Sequence, residues 1–222
     1  DNGADPNSIS AGYNALHAAI LRGDSAIVEA LLQHGADPNQ RILKATPTQR
    51  ASEDWVLRTA HVTATPYWLA ANFREPAIMK TLVEWGADSS LTNEKEYQRL
   101  RDRRSRENPP SIDERRVVGG YASPIQTAIK GESRRDRFYV QANQDPTSEE
   151  KLALESVIAA ADHGVNIDAT DFNGSTALHD AALRNLSTIV MELAIRGASI
   201  NVLNDSGQTP LDLAILGAVS YT

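Results

Sequence analysis

Five histidines, 29 Asp and Glu and no cysteine bound the chemistry that the side chains can carry. Without thiols there is no disulfide framework, thiolate zinc site or cysteine nucleophile. A zinc site would then need histidines and carboxylates at ligand spacing, as in His-Glu-x-x-His on one helix face, and the chain has no such group. His17 and His179 each follow Ala-Leu, and His34 and His163 each precede a glycine, so four of the five recur at matching places; His61 lies off that pattern. Asp171-Phe-Asn-Gly174 and Asn204-Asp-Ser-Gly207 lack the alternating acidic ligands and the twelfth-position glutamate of a calcium loop, and read as turns. Phosphate-loop, hydrolase-elbow and dinucleotide signatures find no match. No catalytic residue, no metal and no cofactor is therefore expected.

Arginine supplies a second chemistry. Arg99 to Arg116 holds seven arginines against Asp102, Glu107, Asp113 and Glu114, and Arg134, Arg135 and Arg137 add three. Guanidinium groups suit bidentate contacts to oxyanions, which makes Arg101, Arg103, Arg104, Arg134 and Arg135 candidates for binding an acidic peptide, a phosphate or RNA. The same run also reads as a solvated loop of Arg–Asp and Arg–Glu pairs. A net charge of −7 repels a phosphate backbone on average, and aromatic residues are scarce inside the run, so nucleic acid is the disfavoured partner.

The elements that must carry these residues follow from length and period. With 222 residues, 41% hydrophobic and 23% charged, the chain has globular composition and room for one or two domains or an elongated array. No apolar run approaches the ~18 residues of a membrane span and no signal-peptide layout opens the chain. It reads as a soluble protein without membrane insertion; the cytoplasm is the default compartment, with the periplasm or secretion open. Self-similarity is immediate. Gly174-Ser-Thr-Ala-Leu-His-Asp-Ala-Ala182 and Ile189-Val-Met-Glu-Leu-Ala-Ile-Arg-Gly-Ala198 match Gly12-Tyr-Asn-Ala-Leu-His-Ala-Ala19 and Ile27-Val-Glu-Ala-Leu-Leu-Gln-His-Gly-Ala36. Further copies open at Thr65-Pro, Ser123-Pro and Thr209-Pro-Leu. In Ile27, Val28, Leu31 and Leu32 the apolar residues fall on one helical stripe, and Gly35 follows as a helix stop. Pairs of such short helices have too little core to stand alone and must stack.

At these residues the chain resembles the ankyrin-repeat family, with its Thr-Pro-Leu-His-x-Ala helix, Ile-Val-x-x-Leu-Leu helix and closing Gly-Ala-Asp. The resemblance covers about two thirds of the chain and implies an all-α repeat solenoid: stacked helix-turn-helix pairs with β-hairpin or loop fingers, interrupted by long insertions. The expected organisation is a single domain over 1–222. It comprises a partial repeat at 1–7, repeats at about 8–39, 40–90, 91–168 and 169–201, and a partial or capping repeat at 202–222. Asp-Trp-Val-Leu in one finger, with Ala-Thr-Pro-Tyr-Trp-Leu-Ala-Ala after it, is similar to a bacterial subgroup of the family, some of whose members are exported. In the family His17 and His179 would be structural, bonding backbone at the turn.

The opening residues Asn14, Thr65, Ser123, Thr176 and Thr209 lie 51, 58, 53 and 33 residues apart, so only the last interval is the bare repeat. Two insertions enlarge the fingers after Gly35 and Gly86. A third, about Glu132 to Ser148, splits repeat three, and Thr147-Ser-Glu-Glu150 is expected to cap the returning helix. Gly119-Gly120 reads as a hinge where the finger rejoins the repeat. Both ends fall inside a repeat, which leaves apolar array ends able to self-associate and suggests a longer protein or a degenerate cap.

The resemblance implies a non-catalytic scaffold that binds another protein or peptide on the concave side, at the fingers and the last exposed turn of each first helix. Those positions carry Tyr13, Leu21, Arg22, Asn72, Phe73, Phe172, Leu183, Arg184 and Gln208, whose Leu, Phe and Arg content suits an interface. Trp55, on the first insertion, is a further candidate anchor, or else packs back on Tyr67 or Trp68. Trp85 is expected between second helices. Arg74 stands where Gly23 and Asn185 end the equivalent helices, which predicts a changed turn or a positive φ there, at a cost of about 1 kcal/mol.

Overall fold

A computed structural model describes residues 3–46, 56–97, 116–131 and 146–219. Each repeat begins with a capped inner helix: α1 (Ala15–Arg22), α3 (Pro66–Asn72), α5 (Pro124–Lys130), α7 (Ala177–Leu183) and α9 (Pro210–Val219). Asn14, Thr65 and Ser123 accept the first free N–H groups from His17, Trp68 and Gln126, and Pro66 and Pro124 occupy first-turn positions that need no N–H. The outer helices are α2 (Ser25–Gln33), α4 (Pro76–Glu84), α6 (Pro146–Asp162) and α8 (Ser187–Ile195). Inner helices contact one another in the order α1–α3–α5–α7–α9 and outer helices in the order α2–α4–α6–α8, which is a two-layer solenoid. No helix among the described residues is long and apolar enough to cross a membrane.

The core runs between the layers. Leu16, Ile20, Val28, Leu69, Ile78, Leu82, Ile125, Ile129, Val157, Leu178, Ile189 and Leu193 form one buried cluster, each side chain contributing about 1.5–3 kcal/mol by leaving water. Polar side chains keep the repeats in register at the outer edge. Asn7 donates to Gly35 O and accepts from Asp37 N; Asn39 does the same with Gly86 O and Asp88 N. Finger backbones are linked in turn by Leu43 N to Gly12 O, Tyr121 N to Asn93 O, Phe172 N to Gly120 O and Asp205 N to Asn173 O.

The fingers are mostly turns. The one ladder among the described residues pairs β1 (Glu96–Tyr97) antiparallel with β2 (Val117–Gly119) at the base of the second insertion. Gly120 meets a close approach there, since a Cβ would lie 2.7 Å from Glu94 O, so the doublet permits packing as well as a bend. The position two residues before each inner-helix cap is left-handed in all five repeats: Gly12, Thr63, Tyr121, Gly174 and Gly207 have φ of 89°, 71°, 55°, 70° and 72°. Thr63 offsets its strain by accepting Glu94 N and Lys95 N on its hydroxyl.

The inner-to-outer turn explains Arg74. Its φ is 57°, beside 68° at Gly23 and 55° at Asn185, as the register predicts. In repeats one, two and four this turn supplies backbone N–H groups to two last-turn carbonyls: Ala19 and Ile20, Ala70 and Ala71, Ala181 and Ala182. The corresponding carbonyls of repeat three are Ala128 and Ile129, but there the chain leaves α5 through Gly131 into the third insertion. The Arg74 guanidinium, from the preceding repeat, donates to both, at 3.0 and 3.2 Å, and pairs with Glu149 at 2.6 Å. A side chain thus replaces a lost turn.

Two expectations need correction. Helix α6 starts at Pro146, ahead of the Thr147 expected to cap it, because proline suits the first turn; the Thr147 and Ser148 side chains lie outside the described set. Trp85 is 44% exposed instead of packed between outer helices, since it follows the last turn of α4, where His34 is exposed after α2. Of the β-hairpin or loop form expected for the fingers, the described residues take the turn form apart from the β1–β2 ladder.

Candidate functional site

Of the ten proposed partner-binding positions, four are exposed and three half-buried on the inner helices and fingers. Arg22, Phe172, Leu183 and Arg184 are exposed and Asn72 half-buried. Tyr13 and Gln208 are half-buried, and Gln208 is engaged by the fold, its N–H donating to Asn204 Oδ1 and its carbonyl accepting from His179. Leu21 and Phe73, at 4% and 1% exposure, belong to the core. The Phe73 ring is covered by the returning first insertion, whose His61 packs edge-on at 5.3 Å; neither residue can touch a partner. Trp55, Arg101, Arg103, Arg104, Arg134 and Arg135 lie outside the described residues.

The histidines serve the scaffold. His17 Nδ1 accepts Asn14 N, so its Nε2 carries the proton and donates to Gln40 O at 2.9 Å; His179 repeats this with Thr176 N and Gln208 O. Burial lowers the His17 pKa to about 4, against the opposing pull of the Gln40 carbonyl and Asp37. His61 uses the same device, accepting Arg58 N at 3.0 Å in the 3-10 turn Thr59–His61. Its cue was the three-residue spacing shared by Arg58 to His61 and Asn14 to His17. His34 bonds its own helix at Ala30 O, and His163 lies 2.8 Å from the buried Tyr67 hydroxyl. Among the described residues no three His, Asp or Glu come together to hold a metal.

What sequence reasoning missed is a recess. It has a volume of about 260 Å³ and lies between α3, α5, the finger at Asp171–Asn173 and the base of the second insertion. Trp68, Asn72, Thr127 and Lys130 line it from the helices, and Glu96, Val118, Gly119 and Phe172 from the fingers. Asn72 and Phe172 are the two expected binding residues that meet there. Asn72 donates to Thr127 Oγ1 at 2.8 Å, and Trp68, itself buried, fixes the far wall by donating its indole N–H to Ala122 O.

Beneath the recess sits an ionic cluster. Lys130 Nζ is 2.9 Å from Asp171 and 3.0 Å from Asp180. Burial alone would lower the Lys130 pKa, but the two carboxylates outweigh it and hold it above the ordinary lysine value. Burial raises the Asp180 pKa, with Lys130 and Gln126 opposing. Asp171 also accepts Asn173 N and Ser175 N, so the same carboxylate that binds Lys130 shapes the finger carrying Phe172. Helix and fingertip are therefore held as one piece.

Comparison with known proteins adds independent support. A family model described as ankyrin repeats (many copies) matches residues 159–214, and one described as ankyrin repeat matches residues 11–42. These are the stretches whose spacing no insertion interrupts. Ankyrin repeat protein OPG189 of variola virus and its monkeypox virus counterpart are each 42% identical over 55 residues, 25% of this chain and 10% of theirs. The match thus spans about a tenth of the length of these curated relatives.

Proposed function

This chain is an ankyrin-repeat protein, and from that premise we propose that its concave face, between the fingers and the inner helices, is a non-catalytic recognition surface for a protein or peptide. Ankyrin repeats generally mediate protein–protein interaction and are typically non-catalytic scaffolds. The observation that carries the groove assignment is Phe172. Its ring is 50% exposed at the edge of a recess, on a finger pinned by Lys130–Asp171, so it is held out to water by a rigid mount. An exposed aromatic on a fixed backbone contributes area at little entropic cost when a partner covers it. Leu183, at the end of α7 in the same repeat, is exposed as well.

Selection from a displayed peptide library, followed by calorimetry, tests the assignment. Groove binders should lose at least tenfold in affinity on a Phe172→Glu/Leu183→Glu variant whose circular dichroism is unchanged. Unaltered affinity in the folded double variant refutes the groove.

A further inference from the structure

The recess differs from a generic apolar groove in its charge and its backbone. Glu96 lines it, and Asp171 and Asp180 share the single ammonium of Lys130 beneath it. Counting the described lining residues with Asp180, three carboxylates face one ammonium, a formal charge of −2, in a chain whose own net charge is −7. A phosphate or an acidic peptide is repelled there, and a cation attracted. The volume of about 260 Å³ falls below the roughly 300–1,000 Å³ of small-molecule sites, which suits one side chain of a larger partner better than a whole cofactor.

The second observation is Tyr121. It stands between the lining residues Gly120 and Ala122, at the left-handed position that Gly12, Gly174 and Gly207 fill in other repeats. Thr63, the other non-glycine there, recovers its strain through hydroxyl hydrogen bonds. The Tyr121 hydroxyl makes no hydrogen bond among the described residues, and the ring is 53% exposed. The exposed aromatic ring that lines the recess is that of Phe172.

We propose, resting on the concave-groove reading above, that this recess receives a cationic side chain of the partner, arginine ahead of lysine. The guanidinium sits by the Glu96 carboxylate, and its planar face is matched to an aromatic ring in a way that an ammonium is not. The partner segment is basic at this point and apolar beside it, where Val117 and Val118 are exposed.

Titrating the full chain with N-acetyl-arginine amide, and separately with the lysine, leucine and glutamine amides, while following the Trp68 indole and the Gly119, Gly120 and Phe172 amides by NMR at low salt, tests this. Arginine should move these signals most and lysine less, with leucine and glutamine several-fold weaker. Glu96→Gln should weaken arginine binding about two- to fivefold, and Phe172→Leu should weaken it with the fold intact. Equal response to arginine and glutamine, or no effect of Glu96→Gln, overturns the inference. Library peptides that depend on Leu183 yet carry no basic residue and leave the recess signals unmoved also overturn it, while sparing the groove assignment.

Discussion

Replacing Arg74 by glycine opposes two effects whose sizes can be worked from the structure. Glycine removes the left-handed strain at φ 57°, a gain of about 1 kcal/mol that its greater freedom in the unfolded chain partly cancels. The loss is larger. Arg74 is buried, donates to Ala128 O and Ile129 O, and pairs with Glu149 Oε2 at 2.6 Å. Truncating a buried charge pair costs about 3–5 kcal/mol, and two helix-end carbonyls lose the guanidinium that donates to them. The Glu149 side chain is one-third exposed, so its own penalty is reduced by solvent. The net expectation is a destabilisation of about 3 kcal/mol.

Asn185→Gly is the internal control. Asn185 occupies the same turn one repeat pair later, with φ 55°, but there the backbone N–H groups of Asn185 and Leu186 cap Ala182 and Ala181 directly. Removing its side chain should change stability by less than about 1 kcal/mol. Urea unfolding followed by circular dichroism measures both, and hydrogen exchange should show the Arg74→Gly loss concentrated in α5 and the start of α6. If Arg74→Gly matches or exceeds the parent in stability, the guanidinium is not replacing the lost turn, and the explanation of how repeat three tolerates its insertion fails.

His17 should sensitise the fold to acid. Its folded pKa of about 4 lies below the ordinary 6.5, so the unfolded chain takes up the proton first. Its contribution is complete above about pH 6.5 and drains as pH falls toward 4, by about 3 kcal/mol in all; an NMR titration placing His17 near 6.5 contradicts this. Tyr121→Gly should stabilise the fold by about 1 kcal/mol through relief of φ 55°, whereas Thr63→Gly should give no gain, because the hydroxyl that accepts Glu94 N and Lys95 N goes with it. Equal thermal shifts for the two variants would remove the distinction drawn between them. Lys130→Met should cost about 3 kcal/mol by leaving Asp180 and Asp171 facing each other, with Asp180→Asn in the same chain recovering part; no recovery means the cluster is not ionic.

The readable and unreadable parts of this molecule separate by range. Inner helices, their caps and the helix-ending glycines rest on contacts within a few residues, so Asn14-x-x-His17 or Ala36 after Gly35 reveals them directly. Arg74 is legible in part for the same reason: register against Gly23 and Asn185 leaves a changed turn or a positive φ, and the backbone takes the second. Its partners were not, because Ala128 and Ile129 lie 54 and 55 residues away and lose their turn to an insertion whose path no local rule describes. Leu21 and Phe73 fail in the same way. Position on the helix marks them as groove residues, but what covers Phe73 is His61, delivered by the first insertion. The recess combines three repeats and the base of the second insertion, so no local stretch of sequence marks it. Where an insertion meets the array, a repeat pattern gives the positions correctly and their exposure wrongly, since pattern encodes neighbours in sequence and burial depends on what returns.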